Sequence, residues 1–160
     1  MSFIDAIKNR AKNEIKTIVL PEASDKRIIE ATSIALSEAY ANIILLGDEK
    51  KIQTLAKENG FDISKATIIN PKISEKREEY ANVFYELRKH KGMTIEQAKE
   101  LLLDEVYFGM MMVKQNEADG LVSRCNSFNF RYVTSSASNF KNSAKNPTCI
   151  SLFCDGSSQL

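Results

Sequence analysis

The sequence predicts an α/β fold: a doubly wound parallel sheet with helices on both faces. Three observations lead there. Short apolar runs, Thr17-Ile18-Val19-Leu20, Asn42-Ile43-Ile44-Leu45-Leu46 and Ala66-Thr67-Ile68-Ile69, alternate with longer segments of helical periodicity. Each run is continuously apolar rather than alternating, which says that both of its faces are covered. Each ends in a turn signal, Pro21-Glu22, Gly47-Asp48 and Asn70-Pro71. Right-handed connections between such strands are the expectation.

In chain order, Phe3, Ile4, Ile7 and Ala11 recur at helical spacing, so residues 2–14 read as a helix. After the first strand, Asp25 to Tyr40 forms a helix with Ile28, Ile29, Thr32, Ala35, Leu36 and Ala39 on one face and Ser24 as its cap. A helix over residues 48–59 follows the second strand and stops at Gly60. Ser74 caps a long helix to Lys91, with Tyr80, Val83, Phe84 and Leu87 on its apolar side. Thr94-Ile95-Glu96-Gln97 is a capping-box pattern opening a helix that ends near Leu103. Val106 to Lys114 is apolar all round and reads as a buried helix. Its Met110, Met111 and Met112 are read as adaptable core filler. Gly109 within it suggests the close approach of another backbone. Ala118 to Ser123 turns into a fourth, barely begun strand.

A chain of 160 residues is long enough for one domain with a sizeable core. A net charge of +1 argues against a general nucleic-acid or membrane-surface binder. No apolar run is long enough to span a bilayer, and the amphipathic start lacks a signal-peptide core, so the cytoplasm is the expected compartment. Cys125, Cys149 and Cys154 show no zinc or redox spacing, and no metal is expected.

Ligands of open parallel sheets bind beyond the carboxyl ends of the strands. Three such places are visible: Leu20 to Arg27, Leu46 to Glu49, and Val122-Ser123. Glu22 and Asp25 in the first are candidates for acid–base work or, more simply, solvated loop and helix-start charges. The second has a single glycine, so neither the dinucleotide fingerprint nor a phosphate loop is present. The segment Phe84 to Gly92 contains the basic run Arg88-Lys89-His90-Lys91. It fits a helix end whose dipole favours cations and whose stop is Gly92. It also fits an anion site with Arg88 as the planar, permanently charged phosphate binder.

Several motifs in order resemble the phosphate acetyltransferase family: IVLPEASDKRIIEA, NIILLGDEKKI, DISKATIINP, EEYANVFYELRKHKG, VYFGMMMVK and ADGLVS. They cover about Thr17 to Ser123. The resemblance implies a Rossmann-like sheet of the isocitrate/isopropylmalate dehydrogenase-like kind, incomplete in this chain. It implies reversible transfer of an acetyl group between coenzyme A and phosphate, with coenzyme A or acetyl-CoA as substrate rather than resident cofactor. In the family, an aspartate acts as base while arginine and serine groups steady the oxyanion, all from a later domain. Of the family's binding positions, only Arg88 can be carried over on a matching motif, as a contributor to coenzyme A binding. Phosphate butyryltransferases are related, and a homodimer is the family expectation for the full-length enzyme. A non-catalytic coenzyme A-binding or assembly module is the rival reading, and a non-functional remnant the third.

The composition breaks after residue 123. All three cysteines lie beyond it, and 20 of the 21 acidic residues lie before it. Residues 1–123 are therefore read as the α/β part of an acyltransferase and 124–160 as an out-of-frame tail without a coherent burial pattern. With permitted codons, reading Arg124 to Val133 one base later spells the family-like GAIHSTSDT. The same offset turns Ser151 to Gln159 into LYFVMVVPN, and a TGA stop can follow Leu160. A frameshift near Ser123 is the resulting expectation. It predicts poor order in the tail and exposure of Leu121, Met111 and their neighbours.

Overall fold

Each apolar run becomes a strand. In the computed structural model, which describes residues 3–124 and 149–153, these are β1 (Lys16–Leu20), β2 (Ala41–Leu46) and β3 (Thr67–Ile69). β4 (Gly120–Arg124) and β5 (Cys149–Phe153) complete one parallel sheet of order β3-β2-β1-β4-β5. The order reverses between β1 and β4, the switch point at which open α/β sheets place ligands.

The helices are α1 (Phe3–Asn13), α2 (Lys26–Ser37), α3 (Glu49–Asn59), α4 (Lys76–Arg88), α5 (Ile95–Leu101) and α6 (Glu105–Lys114), with a 3-10 turn at Lys89–Lys91. They divide between the two faces as the strand alternation requires. Leu20, Ile43 and Leu45 pack on Ile29 of α2 and Ile52 and Ala56 of α3. Val19, Ile44, Leu46 and Leu121 point the other way, toward Tyr80, Ala81 and Phe84 of α4, Ala98 of α5, and α6. The expected buried helix is α6, whose residues from Val106 to Val113 are all buried. A fully buried large apolar side chain contributes about 1.5–3 kcal/mol, so this helix dominates its face.

Several local expectations are corrected. Asp25, not Ser24, caps α2: it has the extended backbone of a cap and its carboxylate accepts from the Arg27 N–H at 2.9 Å. Ser74 does not cap the next helix. α4 follows Glu75, which is itself helical and makes no side-chain cap. That helix stops at Arg88, and the 3-10 turn carries the chain to Gly92, whose φ of 82° supplies the expected left-handed stop. Gly109 is approached not by a backbone but by side chains of three strands, Leu121, Val19 and Leu46. α1 forms, yet buries no residue, and Phe3 is 80% exposed.

The expected exposure of Leu121 and Met111 is also corrected, since both are 1% exposed. α6 lies over the sheet at this point, and β4 is flanked by β1 on one side and β5 on the other. Within the tail, Cys149 to Phe153 is a strand in register with Gly120 to Arg124. The remainder of the tail expectation, including residues 125–148 and 154–160, lies outside the described residues.

Candidate functional site

The loops that follow β1, β2 and β3 are laced together at the carboxyl edge of the sheet. The Ala23 N–H donates to the Leu46 carbonyl at 3.4 Å, and the Gly47 N–H to the Ile69 carbonyl at 3.0 Å. Glu105, in the first turn of α6, reaches in from the helical layer. Its Oε2 accepts a hydrogen bond from the Glu22 backbone N–H at 2.9 Å. Glu22 has φ 61°, a left-handed conformation that costs a non-glycine residue about 1–2 kcal/mol. The bond to Glu105 helps to offset that cost.

Burial pushes the Glu105 carboxyl above the usual carboxylate range. The Glu22 N–H works against this, the charges of Asp104 and Glu22 add to it, and Lys72 opposes them. Glu105, Ser24, Gly47, Asp48, Lys51, Asn70 and Lys72, with apolar Ile52, Pro71 and Leu103, line a pocket of about 190 Å³. The two nearby aspartates are occupied by the helix starts. Asp48 Oδ1 caps α3 through the Lys50 and Lys51 N–H groups at 3.0 and 3.2 Å. Asp25 caps α2 and pairs with Arg27 at 3.0 Å. Asp25 therefore has the helix-start role that the sequence left open beside acid–base work.

Arg88 stands apart from this pocket's lining. It is half-buried at the end of α4, its guanidinium 5.8 Å from the centre of the Phe84 ring. Phe84 in turn meets Tyr107 edge-on at 5.9 Å. At the other end of α4, Lys76 pairs with Glu117, just beyond α6, at 2.6 Å. The structure separates Arg88 from its basic neighbours. Lys89, His90 and Lys91 are exposed in the 3-10 turn, with Lys89 paired to Glu86.

The third place expected from sequence, Val122-Ser123, lies in β4, which pairs with β1, and Ser123 is buried. Glu105 escaped sequence reading. Its only signal is a charge in the first turn of an otherwise apolar helix. Among the described residues, no group of three or more His, Cys, Asp or Glu side chains could hold a metal ion. No helix there is long and apolar enough to cross a membrane.

Comparison with known proteins gives a consistent result. A family model described as phosphate acetyl/butaryl transferase matches residues 2–147. The phosphate acetyltransferase of Acetivibrio thermocellus is 50% identical over 123 residues, which are 77% of this chain and 36% of the relative. That of Thermoanaerobacterium thermosaccharolyticum is 52% identical over 123 residues, covering 77% of this chain and 37% of the relative. In structure, the EutD phosphotransacetylase from Staphylococcus aureus superposes with a TM-score of 0.70 at 40% identity, covering 79% of this chain and 38% of that one. A phosphotransacetylase from Streptococcus pyogenes gives a TM-score of 0.71 at 33% identity, with 77% and 38% covered. The chain spans little more than a third of the length of these relatives.

Proposed function

We propose, from the premise that the chain belongs to the phosphate acetyl/butaryl transferase family, that it is the amino-terminal part of a phosphate acetyltransferase. The reaction is reversible transfer of an acetyl group between coenzyme A and phosphate. The observation that carries this reading is the long match to relatives of that name at about half identity. Acetyl is the narrower part of the proposal, because the family description covers both acetyl and butaryl transfer. Substrates are small molecules, acetyl-CoA and phosphate, in the cytoplasm, and the full-length enzyme is expected to be a homodimer.

The chemistry proposed is attack of the coenzyme A thiol on the acetyl phosphate carbonyl. An aspartate takes the thiol proton, and arginine and serine groups steady the developing oxyanion. Those groups are assigned to the later domain of the relatives. This chain's contribution is Arg88, whose guanidinium would grip a phosphate of coenzyme A. Its place over the Phe84 ring, itself held edge-on by Tyr107, would favour one orientation of the fork. Coenzyme A should bind the 160-residue chain saturably, and Arg88→Ala should abolish that binding. Acetyl phosphate formation by the purified chain should be little or none, and robust turnover would overturn the division of labour. Saturable binding without turnover is also what a coenzyme A-binding module predicts. Joining the chain to the remaining two thirds of a relative separates the two, because only the enzyme part gains activity.

A one-base frameshift near Ser123 is part of the same proposal. The competing reading, a genuine tail, is favoured by the family match that continues to residue 147 and by strand β5. Sequencing the gene across the junction decides between them. The frameshift requires the neighbouring frame to encode the rest of a phosphate acetyltransferase.

A further inference from the structure

The pocket at the carboxyl ends of β1, β2 and β3 has no part in the Arg88 reading, and its polar groups are unevenly satisfied. Each carboxylate already accepts backbone hydrogens: Asp48 from Lys50 and Lys51, Glu105 from Glu22. Asn70 Oδ1 accepts the Lys72 N–H at 3.0 Å. Lys51 and Lys72, both exposed, are among the residues that line the same pocket, and among the described residues neither ammonium group donates a hydrogen bond or forms a salt bridge. An ammonium is donor-only, so the remaining capacity calls for acceptor oxygens. A volume of about 190 Å³ is below the roughly 300–1,000 Å³ of pockets for drug-sized ligands, which favours an ion-sized occupant. The position at the strand ends is where parallel sheets place ligands.

We propose that this pocket is a small-oxyanion site in which Lys51 and Lys72 hold the anion and protonation of Glu105 strengthens binding. Glu105 is the group in the pocket whose charge can change without cutting a helix cap. It is faced by Asp104 at its own helix start, Glu22 from the loop after β1, and Lys72 from the loop after β3. Asp48 from the turn after β2 and Lys51 from the first turn of α3 line the same pocket. Burial already biases Glu105 toward its protonated form. Once neutral, it removes one negative charge from the wall and presents a hydroxyl donor. Anion affinity should therefore rise as pH falls through the Glu105 titration.

Sulfate is the probe, because its own charge is constant over the working pH range. The full chain is titrated at matched ionic strength against chloride and followed by amide chemical shifts. Saturable shifts at Gly47, Lys51 and Lys72 are expected. The Lys51→Ala/Lys72→Ala variant should lose roughly tenfold in affinity, as two exposed ion-pair partners allow. Both lysines are exposed, and an unchanged urea midpoint would confirm that the fold is intact. Glu105→Gln should bind more tightly near neutral pH and show a flat pH profile. Shifts that do not saturate, or that persist unchanged without the two lysines, would overturn the site. A pH profile unaltered by Glu105→Gln would overturn the proton linkage. Arg88→Ala is the control that keeps the two sites apart: loss of the sulfate shifts there would move the anion to Arg88 and refute this pocket.

Discussion

A methyl group added at Gly109 would lie 2.6 Å from Leu121 Cδ1, 3.0 Å from Val19 Cγ1 and 3.1 Å from Leu46 Cδ1. All three belong to buried strand residues with little room to retreat. Alanine in a helix ordinarily gains about 1 kcal/mol over glycine, while overpacking costs about 1–3 kcal/mol. The steric cost should win, and Gly109→Ala should lower stability by up to about 2 kcal/mol in urea unfolding. Tyr80 is the opposite case. Its hydroxyl is buried without a hydrogen-bond partner, and burial first, then the nearby Glu117, push its ionisation upward. Tyr80→Phe should therefore leave the urea midpoint unchanged or raise it, since a lone buried hydroxyl contributes nothing to the fold. Glu105 sets a pH dependence. An acid whose pKa is raised by folding holds its proton in the folded state where the unfolded chain has lost it. Its contribution is therefore full below the unfolded pKa and declines as pH rises through the folded one. Glu105→Gln should flatten that decline in stability measured across the acid range. None of these three partnerships was legible in the sequence, because each joins residues far apart along the chain.

At the scale of elements, local chemistry carried most of the reading. Thr94 and Gln97 form the reciprocal capping box that their spacing announces, with the Gln97 N–H donating to Thr94 at 3.2 Å. α5 has only seven residues and depends on that cap. Thr94→Ala should cost about 1 kcal/mol and speed amide exchange in α5 before it affects β2. Ser24 and Ser74 show where the same logic fails. Ser24 is adjacent to Asp25, and composition alone cannot tell which of two neighbouring caps has the extended backbone. After Ser74 the chain is already helical at Glu75, so no cap geometry forms there. α1 shows a different limit. Its periodicity is correct, yet its apolar side meets solvent, and an isolated helix of 11 residues is marginal. Amides of α1 should exchange fast, while those of β1, β2 and α6 are protected. Strong protection in α1 would mean that this face is covered in solution.

For the molecule as a whole, the apolar runs and helical periods determined a parallel sheet wrapped on both faces. The family motifs determined which enzymes it resembles. Those signals are local in the chain, so they survive without knowledge of packing. Tertiary structure alone decided that β4 lies beside β1, that β5 joins as an edge strand, and that Leu121 and Met111 are therefore buried rather than bare. It also decided that Glu105 meets Glu22 and that Arg88 parts from the basic residues after it. The reason is the same in each case: strand order and helix crossing bring distant residues together, and periodicity records which face a residue occupies but not what it will touch.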